Sequence, residues 1–215
     1  MKYTTIIFDL DGTLLNTLAD LAAATNYALA EHKLPQRTTD EVRLFVGNGI
    51  RKLIERAVPA DTPVELQEKV FASFNKYYKQ HCADSTRPYE GVPQLLLQLR
   101  TAGCRTAIVS NKADYGVQAL AKQYFDGQID AACGERAGIA KKPAPDMLLA
   151  IMQQLKAEPA STIYIGDSDT DIATASNAGV DCIGACWGFR GRAFLEAHGA
   201  KLLAENVGDI WELIK

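Results

Sequence analysis

At 215 residues, 47% apolar and 23% charged, the chain suits one sizeable globular domain, or a main domain with a smaller insert. A formal net charge of −3 offers no basic field for phosphate backbones, so nucleic acid is not an expected partner and any anionic substrate must be captured by local groups. No apolar run approaches the roughly 18 residues of a membrane span, the opening "MKYTTIIFDLDG" has no signal-peptide cleavage site, and five scattered cysteines without zinc-site spacing predict reduced thiols in a cytoplasmic protein.

The first element is "TTIIFDLDG", a short β-branched run that stops at Asp9 and Asp11. It has the length of a buried parallel strand. About 90 residues separate it from the next strong strand, more than one crossover helix needs. The excess reads as helical. "TLADLAAATNYALAEHKL" is rich in Ala and Leu, Ile50, Leu53, Ile54 and Ala57 share one face, and Val70, Phe71, Phe74, Tyr77 and Tyr78 share another. Residues 16–85 are therefore predicted to form a small helical domain inserted after the first strand. Residues 1–15 and 86–215 form the main domain, with Pro88–Gly91 as the return hinge.

"RTAIVSNK" is the second strong strand, ending at Ser110 and Asn111, and "GQIDAAC" (127–133) a weaker one. "AKKPAPD" follows, with Lys141 and Lys142 before a proline and Pro145–Asp146 opening a helix. "STIYIGDSDTD" repeats the first pattern, a buried run stopping at Asp167, Asp169 and Asp171, and "DCIGA" (181–185) supplies a further weak strand. Strands alternating with helices predict an α/β fold, a doubly wound, mostly parallel Rossmann-like sheet. Ligands bind such sheets beyond the carboxyl ends of the strands. That rule gathers Asp9, Asp11, Ser110, Asn111, Asp167 and Asp171 at one edge.

Two acids two residues apart repel unless a cation or a chemical task offsets the charge. An aspartate at a strand end can act as a nucleophile toward phosphorus, and a divalent cation would polarise a phosphoryl oxygen. The acids of "GDSDTD" suit the few-carboxylate ligation of Mg²⁺. A calcium loop also opens D-x-D-x-D, but its glycine at the sixth position and glutamate at the twelfth are absent here. Ser110 and Asn111, at a strand end that opens a helix, suit a phosphate. A lysine of the "KKP" segment can screen charge that builds in phosphoryl transfer.

Together "DLDGT", "SN", "KKPAPD" and "GDSDTD", in that order over almost the whole chain, resemble the four motifs of the haloacid dehalogenase-like hydrolases. The helical insert is similar to the cap domain of one branch. "FVGNGIRKLIERA" and the C-terminal "WGFRGRAFLEAHGAKLLAENVGDIWELI" resemble the phosphoglycolate phosphatases of that branch. Asn16, where many relatives carry Asp, and the compact "CGERAGIAKKP" connection depart from that pattern.

The resemblance implies a Mg²⁺-dependent phosphatase acting on a small phosphate ester, 2-phosphoglycolate first among them. Asp9 would be the nucleophile and Asp11 the acid and then the base. Lys142, directly before the proline, would steady the nucleophile and the phosphoryl group. Asp9, the main-chain carbonyl of Asp11 and Asp167 would hold Mg²⁺, and Asp171 would orient Lys142 or a metal-bound water. Thr13, Ser110 and Asn111 would meet the phosphoryl group, and Asn48 and Arg51 the substrate carboxylate. Asp169 receives no role.

Asp11 favours ester cleavage over dehalogenation, because an alkoxide needs a proton and a halide does not. A sugar-phosphate mutase, a pyrophosphatase or nucleotidase, and a non-catalytic binding protein are the other readings. The oligomeric state is expected to be monomer or homodimer.

Overall fold

The computed structural model describes residues 1–215. In chain order the elements are β1 (Thr5–Phe8), β2 (Leu15–Asn16), α1 (Leu18–Glu31), α2 (Thr39–Phe45), α3 (Ile50–Ala57), α4 (Val64–His81), β3 (Arg87–Pro88) and α5 (Val92–Thr101). They continue with β4 (Arg105–Ala113), α6 (Asp114–Phe125), β5 (Ala131–Glu135), α7 (Asp146–Gln154), β6 (Thr162–Gly166), α8 (Asp169–Ala178), β7 (Asp181–Ala185), α9 (Arg192–Ala197), β8 (Leu202–Ala204) and α10 (Asp209–Leu213). The chain divides into two compact units, residues 1–15 with 88–215, and residues 16–87. No helix is long and apolar enough to cross a membrane.

The larger unit is built on a six-stranded sheet of order β5-β4-β1-β6-β7-β8. Every pairing is parallel. The order turns at β1, which has β4 on one side and β6 on the other, and that switch point is where a doubly wound sheet opens a crevice for ligands. Phe8 pairs with both Ile108 and Ile165, and β1 and β6 stop within a residue of that level while β4 runs on to Ala113.

These strands form because both faces are covered. Ile7, Ala107, Val109 and Tyr164 pack with Met147, Leu148, Ile151 and Met152 of α7 and Ala175 of α8. By alternation Ile6, Phe8, Ile108, Ile163 and Ile165 point the other way, and all five are fully buried. The weaker strand predicted at 127–133 forms at Ala131–Glu135. Its first residues are used in a turn instead, where Gln128 N–H donates to the carbonyl of Phe125 at 2.8 Å.

The smaller unit has its own core, in which Leu21, Ala28 and Leu29 of α1 meet Val42, Leu53, Ile54, Val70, Phe74 and Tyr78. Thr38 and Glu41 cap α2 reciprocally, the Thr38 side chain accepting from Glu41 N–H and the Glu41 side chain from Thr38 N–H. Asp20, buried in α1, closes the unit. Its carboxylate accepts from Ser85 N–H at 2.9 and 3.1 Å, from Thr86 N–H at 2.8 Å and from Thr86 Oγ1 at 2.7 Å. Asp20→Ala leaves two backbone donors and a hydroxyl without that acceptor, and is expected to lower stability by about 3 kcal/mol. Urea denaturation checks this, and a loss under about 0.5 kcal/mol, the scale of an ordinary surface change, would show that the unit does not depend on this tie.

Candidate active site

Asp9 follows directly on β1, and its N–H donates to the carbonyl of Ile165 at 2.8 Å, as if the strand ran on by one residue. Its carboxylate is buried. Oδ1 accepts from Leu10 N–H at 2.7 Å and lies 3.0 Å from Lys142 Nζ. Oδ2 receives no hydrogen bond from the protein. One oxygen is thus anchored and the other left free.

Asp167 follows β6 on the neighbouring strand and is held from two sides. Thr13 Oγ1 donates to its Oδ1 at 3.3 Å, and Phe189 N–H donates to its Oδ2 at 2.7 Å. Trp187 Nε1–H donates to the carbonyl of Thr13 at 3.0 Å, tying the loop after β7 to the loop after β1. Two glycines make room for this carboxylate. Gly12 has φ +86°, and a Cβ there would stand 2.5 Å from Asp167 Oδ2. A Cβ on Gly188 would overlap Asp167 Cβ. Neither position admits a side chain without moving Asp167.

Lys142 is buried at the end of the "AKKP" segment and uses all three of its donors. Its Nζ lies 3.0 Å from Asp9 Oδ1, 2.7 Å from Asp171 Oδ1 and 2.9 Å from the Tyr164 hydroxyl. Tyr164 in turn donates to the carbonyl of Val109 at 2.8 Å. Burial disfavours the Lys142 ammonium, but Asp171 and Asp9 outweigh it and hold the pKa above the ordinary lysine value. Lys141, its neighbour in sequence, is instead half-exposed beside Glu135 at 3.3 Å.

Asp171 is fully buried. Besides Lys142, its Oδ1 meets Tyr164 at 3.2 Å, and its Oδ2 accepts from Ser168 N–H and Oγ at 3.1 and 2.6 Å. Ser110 and Asn111 lie within the last part of β4, both buried, and Asn111 Nδ2 donates to the Lys142 carbonyl at 3.0 Å. Asp11 turns its carboxylate to Lys112, with Nζ 2.9 Å from Oδ1 and 3.2 Å from Oδ2. Asp169 lies outside this group. It lines a cavity of about 590 Å³ with Ile172, His198 and Lys201, and none of the clustered acids borders that cavity.

Oxygens of Asp9, Asp167 and Asp171 lie within 4.8 Å of one another, so these three could hold a metal ion. The charges fit a divalent cation. With all ionised, Asp9, Asp11, Asp167 and Asp171 against Lys112 and Lys142 leave two negative charges unbalanced. Without an ion, the crowding favours protons on these carboxylates. Burial pushes Asp9 up to about 6, against the pull of Lys142 and with added repulsion from Asp171 and Asp11. Burial, then the charges of Asp171 and Asp9, push Asp167 well above the carboxylate range.

The model of the haloacid dehalogenase-like hydrolases matches residues 6–185, which hold every one of these groups up to Asp171. The chain belongs to that family. A phosphoglycolate phosphatase of Pseudomonas putida is 34% identical over 209 residues, covering 94% of this chain and 76% of the relative. The N-acetylmuramic acid 6-phosphate phosphatase of Pseudomonas aeruginosa is 29% identical, covering 100% of this chain and 96% of the relative. A crystal structure from Lactobacillus delbrueckii subsp. bulgaricus, provisionally assigned as a phosphoglycolate phosphatase, superposes with a TM-score of 0.95 at 35% identity, covering 100% and 99% of the two chains.

For this haloacid dehalogenase-like hydrolase the larger unit brings together Asp9, Asp11, Thr13, Ser110, Asn111, Lys142, Asp167 and Asp171. Asn48 and Arg51 belong to the helical unit. Asn48 Oδ1 accepts from Arg56 at 2.8 Å, and Arg51 is exposed, pairs with Glu68 and stacks over Phe71 at 4.4 Å. Sequence reasoning missed Lys112 and Tyr164. β4 changes register between Val109 and Ala113, so strict alternation is lost there and the sequence gives no signal for Lys112. Tyr164 reads as an ordinary core aromatic and gives none.

Proposed function

We propose that this protein is a Mg²⁺-dependent phosphatase that hydrolyses a small phosphate monoester, 2-phosphoglycolate for preference, through an aspartyl-phosphate on Asp9. One observation carries the reading: Asp9 ends the central strand with Oδ1 anchored by Leu10 N–H and Lys142 and Oδ2 free. A buried carboxylate fixed by one oxygen presents the other at low reorganisation cost.

In the first half-reaction Asp9 Oδ2 bonds to phosphorus as the bond from phosphorus to the leaving oxygen breaks. That oxygen keeps the electron pair and takes a proton from Asp11. In the second, Asp11 takes a proton from water and the water oxygen bonds to phosphorus. The acyl phosphate bond then breaks, returning its electron pair to Asp9. Lys142 balances charge beside Asp9 throughout, and the Ser110 hydroxyl is assigned to a phosphoryl oxygen. Asn111 holds the Lys142 segment through its carbonyl. When bound, Mg²⁺ supplies Lewis-acid polarisation of the phosphoryl group, with Asp9, Asp167 and the main-chain carbonyl of Asp11 as its protein ligands.

Selection of the leaving group is assigned to the helical unit, with Arg51 and Asn48 as readers of a substrate carboxylate. For Arg51 this means exchanging Glu68 for the substrate, one carboxylate for another at an exposed guanidinium. The five free thiols support a cytoplasmic placement.

A panel of 2-phosphoglycolate, N-acetylmuramic acid 6-phosphate, hexose phosphates, pyrophosphate and nucleoside monophosphates, assayed with Mg²⁺ for phosphate release, tests the substrate. The kcat/KM for 2-phosphoglycolate is expected to exceed the others by about tenfold or more. A sugar phosphate in first place would replace it. Conversion of a hexose 1-phosphate to the 6-phosphate without free phosphate would make the protein a mutase. No release even from 4-nitrophenyl phosphate would end the phosphatase reading.

A further inference from the structure

Lys112 is the second buried lysine of the site, and the mechanism above leaves it without a task. Its side chain is 2% exposed, against 14% for Asp11, and its Nζ meets both Asp11 oxygens at 2.9 and 3.2 Å. The stem is built into the scaffold. A Cβ on Gly116 would stand 3.4 to 3.6 Å from Lys112 Cε, Cδ and Cγ, so the first turn of α6 lies flush along the side chain. A Cβ on Gly134 would stand 2.6 Å from the Lys112 carbonyl oxygen, so β5 also closes tightly on this residue. The backbone N–H of Lys112 donates to Ser110 Oγ at 3.4 Å.

Withdrawing a lysine from water is unfavourable unless an opposite charge meets it. Here that charge is the carboxylate of Asp11, gripped by both oxygens from a neighbouring strand. The grip removes the rotational freedom that an aspartate just beyond a strand end would otherwise have. Each Asp11 oxygen keeps a second lone pair directed away from Nζ, which is where a transferable proton can sit. Proton transfer falls steeply when the donor strays from line.

We infer that Lys112 is the positioning residue for Asp11, orienting its carboxyl group so that the proton reaches the leaving oxygen as the bond to phosphorus breaks. This rests on the reading of Asp11 as the acid. Lys112 acts through Asp11 and is given no contact with the substrate.

A basic leaving group needs the proton and an acidic one does not, so the test compares phenyl phosphate with 4-nitrophenyl phosphate, which are alike in shape. Lys112→Met, Asp11→Asn and the double variant are assayed for kcat/KM on both esters with Mg²⁺. Each ratio of the two esters comes from a single preparation, so a partly unfolded or inactive fraction cancels. Lys112→Met is expected to lose about tenfold more on phenyl phosphate than on 4-nitrophenyl phosphate. Asp11→Asn should show the same skew, and the double variant should match Asp11→Asn within about twofold, because the two residues act as one unit. Equal losses on both esters from Lys112→Met, with Asp11→Asn skewed, would overturn the role of Lys112 alone. Losses that multiply in the double variant would overturn it too. Equal losses from Asp11→Asn itself would remove the acid role of Asp11, and the inference with it.

Discussion

Asp9→Asn is expected to reduce phosphate release by about 10⁴-fold or more, the scale on which enzymes lose a covalent nucleophile, while the protein stays folded. The substitution is isosteric. Its amide oxygen can still accept from Leu10 N–H and face Lys142, so the packing around β1 is kept. What disappears is the anionic oxygen that would bond to phosphorus. The change also removes one of the crowded charges that raise the pKa of Asp167, so the metal-free variant should melt no lower than the parent. A loss of activity without a loss of stability separates a chemical role from a structural one.

Asp169→Asn is the matched control. It stands two residues from Asp167, in the same acidic run, but faces the cavity beside His198 and Lys201. Its kcat/KM should stay within a few-fold of the parent. Parallel measurement of both variants on 4-nitrophenyl phosphate, with circular dichroism melts, decides the matter. Equal losses would sink the division of labour drawn among the acids of "GDSDTD", and an active Asp9→Asn would sink the covalent mechanism.

The sheet was legible where burial is two-sided. "TIIF", "TAIVS" and "TIYIG" are rich in Ile, Val and Thr because parallel strands meet apolar layers on both faces. "DCIGA" coincides with β7, although it holds one β-branched residue and begins exposed. The edge strand β8, Leu202–Ala204, is three residues long and too short to carry a period; its pairing of Leu202 with Ile183 is a tertiary event. Carboxylates at strand ends stand out because a core strand has no other reason to stop on them. The groups that hold them do not. Phe189 N–H and Gly188 shape the Asp167 pocket from a loop some twenty residues away, and a main-chain donor has no sequence signature. Lys112 looks like any polar residue near the end of a strand until α6 and β5 close around it. The family resemblance picks Lys142 because it directly precedes the proline, and the fold makes Lys141 an exposed partner of Glu135 and Lys142 a buried partner of Asp9.

Divalent cation and protons should compete for the same carboxylates, and that competition predicts how stability depends on pH. In the metal-free protein Asp9 is raised to about 6 by burial, so the folded state holds this proton more tightly than the unfolded chain does. The contribution is fully present below the ordinary Asp value near 4, and it is lost as pH rises through about 6. Asp167, raised well above its ordinary value, extends the loss to higher pH. Metal-free protein should therefore lose stability on going from pH 5 to pH 7.5.

A divalent cation replaces those protons and reverses the trend. For Asp9 alone, apparent affinity should fall about tenfold between pH 7 and pH 5, following the fraction of free carboxylate. With Mg²⁺ at about 100 times its Kd, the stabilisation is about 2.7 kcal/mol, or a rise of roughly 5–10 °C in Tm for a chain of this size. At pH 5 the same Mg²⁺ concentration should raise Tm by clearly less, and chelation at pH 7.5 should abolish phosphate release. Thermal melts with and without Mg²⁺ at the two pH values read the linkage without any substrate. Equal shifts at both would mean that the cation does not displace protons from Asp9 and Asp167. No shift at either would mean that this acid cluster is not where a cation binds.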